Sequence, residues 1–299
     1  CEVEVELTPP DGAHVSTSLE PGERDGVHRA PSGDLLRETY LLVGEHWERE
    51  IELEGTTLVL AVDGELADAA ELVASQVRGF VEAGIAMLGG PPPARCLVAI
   101  TRSDDEGGGA VLHRDAHVLM AGPPAEEATG WRVTLCHELF HLWNSVLGFD
   151  SREMWFSEGL TDYGASRLLA RTGDIDGALC LEHARAWASA YVGELRRIEP
   201  IGLREAGALG AKNRTLVYEG GALAALCMDV AIRAHSDGDR SLDDVMGRLY
   251  ALCADAGGQA SVGELDRLLA QFGGRALRGF LDRHVAGAEP LPLAETLAL

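Results

Sequence analysis

His137-Glu138-Leu139-Phe140-His141, followed by Glu158 within Trp155-Phe156-Ser157-Glu158-Gly159-Leu160-Thr161-Asp162, has the residue types and spacing of a zinc peptidase centre. On a helix, histidines four apart project from one face, and the glutamate between them falls within an arc of about 100° of both. All three side chains can then address one metal and the water it activates. Glu158 on a second helix would supply a third ligand and leave the fourth zinc position open, as hydrolysis requires.

The elements that must carry these groups are legible nearby. From Trp131 to Leu147 the chain is apolar nearly all round, with Val133, Leu135, Leu139, Phe140, Leu142 and Val146, which predicts a helix sunk in a core. Burying His137, Glu138 and His141 there without partners would be costly. Glu158 and Asp162 are four apart and share a face of the helix expected from Phe156 onward. A ligating histidine usually gives its second ring N–H to a carboxylate, and Asp162 is expected to hold His137 in this way. His113 and His117 are an even number of residues apart on one expected strand, so both are candidates to line a substrate groove. Gly107-Gly108-Gly109 lacks the Gly-Lys-Ser/Thr of a phosphate loop and is read as a turn.

Four blocks in this order, HELFHLWN, WFSEGLTDY, Leu216 to Leu223 (LVYEGGAL) and Arg240 to Met246 (RSLDDVM), resemble the glycyl aminopeptidase family of the gluzincin metallopeptidases. The resemblance covers about residues 56 to 299 and touches residues 1 to 55 loosely. It implies a thermolysin-like catalytic domain preceded by part of a β-sandwich, with Zn2+ as cofactor and a peptide trimmed from its N-terminus as substrate. By the same resemblance, Tyr218 is the tyrosine that donates to the oxyanion, although Gly220 stands where the family has lysine, and Asn144 has a structural hydrogen-bonding role. Two departures accompany the match. Leu112 occupies the place of the glutamate that holds the substrate's amino group, with Glu106, Asp105 and Asp115 as possible substitutes, and only 16 residues separate His141 from Glu158. An apolar side chain cannot pair with an ammonium group, so two further readings stand beside the aminopeptidase. One is a zinc endopeptidase or processing peptidase without the amine anchor, the other an inactive metal-binding protein that recognises peptides. The intact Glu138 speaks against the last, since binding alone needs no general base.

A net charge of −23 gives the chain no basic face for phosphates, which argues against nucleic acid and anionic membrane as partners. No run approaches 18 apolar residues, so no transmembrane segment is expected. The compartment, cytoplasmic or periplasmic, is open, and so is oligomeric state. Residue 1 is a cysteine, which fits either an acylated first residue or a cut through a β domain; Cys1-Glu2-Val3-Glu4-Val5-Glu6-Leu7 alternates as a half-buried strand does. The six cysteines, Cys1, Cys96, Cys136, Cys180, Cys227 and Cys253, form no close pair, which excludes a zinc ribbon and favours free thiols. Lys212 is the only lysine against 24 arginines, read first as codon bias.

The breaks in pattern divide the chain into a partial β-rich domain over 1–55, a catalytic domain over 56–255 and a helical extension over 256–299. Strands are expected at 57–62, 96–101 and 110–120, and helices at 65–88, 178–195, 221–235, 242–253 and 262–272. No internal repeat is seen. The fold class is therefore α+β, a small mixed sheet plus a helical lobe.

Overall fold

The computed structural model describes residues 2–37, 39–104, 108–112, 115–144, 150–256 and 259–298. The chain is a mixed α+β protein that divides into two compact units, Cys1–Ile85 with Pro91–Leu142, and Ala86–Gly90 with Trp143–Leu299.

In the first unit the apolar runs become the middle of a sheet. Strands β6 (His46–Leu53), β7 (Thr56–Asp63), β8 (Arg95–Arg102), β9 (Gly108–Leu112) and β10 (Asp115–Met120) lie in the order β6-β7-β8-β10-β9. The β7–β8 and β8–β10 pairs are parallel, the two outer pairs antiparallel. Parallel neighbours need a crossover, and the helical periodicity after Gly64 supplies it as α2 (Ala70–Leu88) between β7 and β8. Leu58, Leu60, Val62, Leu97, Val98 and Ile100 on the two central strands are fully buried, which is why those strands read as continuous apolar runs. β6 keeps Glu48, Arg49 and Glu50 exposed, a charged border that discourages edge-to-edge pairing. The mixed sheet expected from the sequence is thus present, although Gly108 and Gly109 belong to β9 and not to a turn.

Before β6 the chain forms two smaller antiparallel sheets. β1 (Val3–Glu6), β4 (Val27–Ala30) and β3 (Glu20–Pro21) make one, β2 (His14–Thr17) and β5 (Leu41–Gly44) the other, with the short helix α1 (Gly33–Arg37) between β4 and β5. A buried carboxylate ties these segments to the large sheet. Asp115, fully buried at the start of β10, accepts from Leu97 N (2.9 Å), Tyr40 N (2.9 Å) and Ser18 Oγ (3.0 Å). Three donors from three separate segments satisfy a charge that would otherwise be expensive to bury. The same bonds remove Asp115 as a substitute amine anchor; Asp105 and Glu106 lie outside the described residues.

The second unit is helical. It comprises the end of α3 (Gly130–Asn144) and then α4 (Thr161–Thr172), α5 (Gly177–Leu195), α6 (Leu203–Ala208), α7 (Gly221–His235), α8 (Leu242–Ala256), α9 (Val262–Leu277) and α10 (Leu293–Thr296). The helix α7 is central: Leu223, Ala224, Ala225, Met228 and Ile232 are at most 1% exposed. A full capping box, Ser261 with Glu264, starts α9. The Arg240–Met246 block has a structural role here. Asp243 takes a bidentate Arg167 (2.6 and 2.8 Å) and Arg171 (2.6 Å), and Leu242 N donates to Asp229 (2.7 Å). Burial alone would raise the Asp229 carboxyl, but Arg167, Leu242 N–H, Tyr163 and Arg233 together hold it below its ordinary value. For Asp243 burial outweighs Arg167 and Arg171, and its carboxyl is raised.

Cys96, Cys136 and Cys227 are buried free thiols and Cys180 and Cys253 half-buried ones, as their apolar settings predict. Among the described residues no helix is long and apolar enough to cross a membrane.

Candidate metal centre

The helix α3 is apolar on almost every side, so it has no polar stripe to present to water and is buried. Leu135, Cys136, Leu139, Phe140, Leu142 and Trp143 are at most 2% exposed; only Val133, at 37%, departs from the core role its type suggests. Residues 145–149, where the apolar pattern continues to Val146, lie outside the described residues. His141 and Glu138 are buried within this helix and His137 half-buried. The four-residue spacing brings the two imidazoles edge to face, with ring centroids 4.8 Å apart and Nε2 atoms 3.1 Å apart. Two ring nitrogens aimed at one point, each with a lone pair in its neutral form, form the donor pair that a cation needs.

Glu138 is 6% exposed, and β9 passes directly over it. A Cβ at Gly109 would stand 2.4 Å from Glu138 Oε1, so only glycine lets the strand come this close. Tyr40 lies on the same side, its hydroxyl raised by burial and by the charges of Glu138 and Asp115. Its ring meets His117 edge-on at 5.9 Å, and His117 Nε2 shares a hydrogen bond with Thr101 Oγ1 at 2.8 Å, its pKa lowered by burial. His113 lies outside the described residues. The single strand expected over 110–120 is instead two, β9 and β10, paired antiparallel. Tyr40 was not foreseeable from spacing, being nearly a hundred residues from Glu138.

The second unit holds the other candidates. Its share of α3 is Trp143 and Asn144, and Asn144 is the clamp on the turn that follows. Asn144 Nδ2, buried, donates to Phe156 O (2.9 Å), Ser157 O (3.3 Å) and Thr161 Oγ1 (2.8 Å). Phe156 and Ser157 immediately precede Glu158, so the end of α3 fixes the backbone that presents it. That backbone is not α-helical: Trp155–Leu160 is a π-helical turn leading into α4, and Leu216–Gly220, which carries Tyr218, is another. Widened turns of this kind recur at functional sites. The two turns pack backbone on backbone. A Cβ at Gly159 would lie 2.4 Å from Gly221 Cα, and one at Gly221 2.3 Å from Trp155 O. Gly159→Ala is therefore expected to cost about 1–3 kcal/mol of stability, the usual penalty of overpacking; an unchanged denaturant midpoint would show that the turns yield.

Tyr218 bonds to Glu158. Burial raises its hydroxyl pKa most, followed by the Glu158 charge and hydrogen bond, with Asp162 adding and Arg214 opposing. The Arg214 guanidinium stacks 3.7 Å from the Tyr218 ring centroid. Arg214 and Tyr218 also line a cavity of about 310 Å³ with Met154, Gly207, Ala211 and Val217. Asp162, half-buried one turn beyond Glu158, adds its charge to Tyr218 and to Glu219, whose carboxyl is raised chiefly by burial. Arg214, four residues before Tyr218, is a contact that the sequence reading missed and that i,i+4 spacing signals.

No protein-family model matches the chain, and no curated protein sequence does. Solved structures do. An aminopeptidase N family protein from Idiomarina loihiensis aligns over 99% of this chain and 57% of its own, at 22% identity and a TM-score of 0.82. An M1 zinc metallopeptidase from Deinococcus radiodurans aligns over 98% of this chain and 64% of its own, at 20% identity and 0.60. Native LTA4 hydrolase from yeast aligns over 97% and 47%, at 14% identity and 0.65. The chain thus has the fold of the corresponding parts of M1 metallopeptidases and spans less than two thirds of the length of each of these proteins.

Proposed function

We propose that the chain is a zinc-dependent peptidase of the aminopeptidase kind, its catalytic domain thermolysin-like, with His137, His141 and Glu158 as the zinc ligands. The observation that carries this reading is the donor set. In the first unit His137 and His141 bring their Nε2 atoms 3.1 Å apart with the buried Glu138 between them, and in the second unit Asn144 holds the turn that carries Glu158. Two imidazoles and one carboxylate suit zinc and leave a position open. The similarity of fold to M1 zinc metallopeptidases supports it.

Bound zinc would supply Lewis acidity and make a water acidic near neutral pH. The chain's own groups do the rest. Glu138, as general base and then general acid, would take a proton from the attacking water and return it to the leaving amine. Tyr218, whose raised pKa keeps its proton in place, donates its O–H to the developing oxyanion. Asp162 holds His137 in the ligating tautomer, and His113 and His117 border the peptide substrate. His141→Ala is expected to lose a zinc equivalent relative to the parent protein by metal analysis, and retention of the full content would overturn the site.

One observation favours a departure from the glycyl aminopeptidase type. The strand β9, Gly-Gly-Ala-Val-Leu, offers no acid to hold a substrate amine, and Asp115 is occupied by three donors. On the second reading, a zinc endopeptidase without the amine anchor, glycyl and acetyl-glycyl peptides are expected to be cut at comparable kcat/KM. A strict demand for the free amine would rule out the endopeptidase and leave the aminopeptidase, and zinc-dependent cleavage of neither would favour a binding protein.

A further inference from the structure

Two further histidines, His14 and His46, converge far from α3 in sequence. His14 opens β2, and its partner across the sheet is Gly44, the last residue of β5. Two residues later His46 begins β6, and Glu48 follows at the period of two that places it on the same face. Ser16 stands in the same relation to His14. The two strand starts therefore face each other with His14 and Ser16 on one and His46 and Glu48 on the other. The His14 and His46 rings stack at 3.8 Å between centroids, tilted by 36°. Ser16 Oγ shares a 2.5 Å hydrogen bond with His46 Nε2 and donates to Glu48 Oε2. One ligand atom each from His14, His46 and Glu48 falls within 4.8 Å of the others.

Two chemistries deserve comparison for a serine, a histidine and an acid held together. A nucleophilic triad needs the acid on the far ring nitrogen of the histidine and a hydroxyl that substrate can reach. Here the acid bonds the serine itself, and Ser16 is 1% exposed. The far nitrogen, His46 Nδ1, is buried and does not bond to the acid. A cation explains the arrangement better. It would accept nitrogen lone pairs from two imidazoles that otherwise crowd one another, and the Glu48 charge would neutralise part of its own. Ser16, hydrogen-bonded to both His46 and Glu48, would orient two of the three ligands. The setting is anionic: Glu45 adjoins His46 and Asp63 lies opposite it in the sheet.

We infer that His14, His46 and Glu48 form a second divalent-metal site, distinct from His137, His141 and Glu158, that takes a borderline cation of the zinc, cobalt or nickel class. Two nitrogens and one carboxylate select that class over calcium or magnesium, which prefer oxygen. The site joins β2 to β6, two strands that share no backbone ladder, so its role is to brace the N-terminal sheets.

The test is Co2+ and Zn2+ binding by the full chain, followed by calorimetry and by cobalt absorbance, with four proteins compared. The parent is expected to bind two equivalents. His141→Ala should keep one, and His14→Ala with Glu48→Gln should keep the other, each losing at least the 10- to 100-fold in affinity that even a supporting contact confers. Both His14 and Glu48 are exposed, so these changes leave the core intact, and circular dichroism verifies it. The combined variant should bind none. If His141→Ala alone abolishes all binding, the second site is overturned while the central one stands. If His14→Ala with Glu48→Gln leaves stoichiometry and affinity unchanged, or the second equivalent binds only at millimolar metal, the inference is likewise wrong.

Discussion

Glu138→Gln is expected to keep its metal and lose about 10² to 10⁴ in turnover, the range that general acid–base assistance supplies. The amide is nearly isosteric with the carboxylate, so the 6%-exposed pocket under Gly109 stays filled. What disappears is a group able to take a proton and give it back. The ring nitrogens of His137 and His141, the proposed ligands, are untouched, and zinc content should therefore match the parent. A variant that turned over normally would mean that the base lies elsewhere, with Tyr40 and His117 on the same side as the next groups to test. A variant that lost zinc would instead show Glu138 holding the metal, and the division of roles proposed above would be wrong.

Tyr218→Phe is expected to lose about 10² to 10³, chiefly in kcat, because a donor used only in the transition state adds little to ground-state binding. The ring remains, and with it the stacking of Arg214 at 3.7 Å and the wall of the 310 Å³ cavity. Removing the hydroxyl also removes the hydrogen bond to Glu158. Zinc affinity should accordingly be measured beside kcat and KM. A fall in kcat with affinity unchanged assigns Tyr218 to the chemistry; a fall in affinity alone makes it a support for Glu158, and unchanged kinetics remove it from the site.

Much of the framework was legible because its signals are local. Helix periodicity located α5, α7, α8 and α9 to within a few residues, and the apolar runs at 57–62 and 96–101 became the buried strands β7 and β8. His137, Glu138 and His141 stand out because one short helix fixes their spacing. Other features depend on contacts that no short window contains. The π-helical turn at Glu158 reads as ordinary helix, since the extra residue leaves the apolar pattern nearly intact, and the one at Tyr218 falls just before the helix expected over 221–235. Tyr40 and Asp115 owe their positions to strand order, which reflects long-range pairing. Gly109 resembled part of a turn because three glycines in a row usually are one; its use as the place where a strand slides past a carboxylate appears only once β9 is paired with β10.

The contact of Gly159 with Gly221 bears on precision more than on stability. Two peptide backbones touching without a side chain between them have almost no rotamers to exchange, so the interval from Glu158 to Tyr218 is set by hard atomic radii. An active site tolerates little error in such an interval, since misplacement by about 1 Å can cost 10²-fold in rate. The two glycines act as a length standard: substituents too small to unfold the protein would still miscalibrate it, and variants here should lose catalytic proficiency sooner than they lose structure.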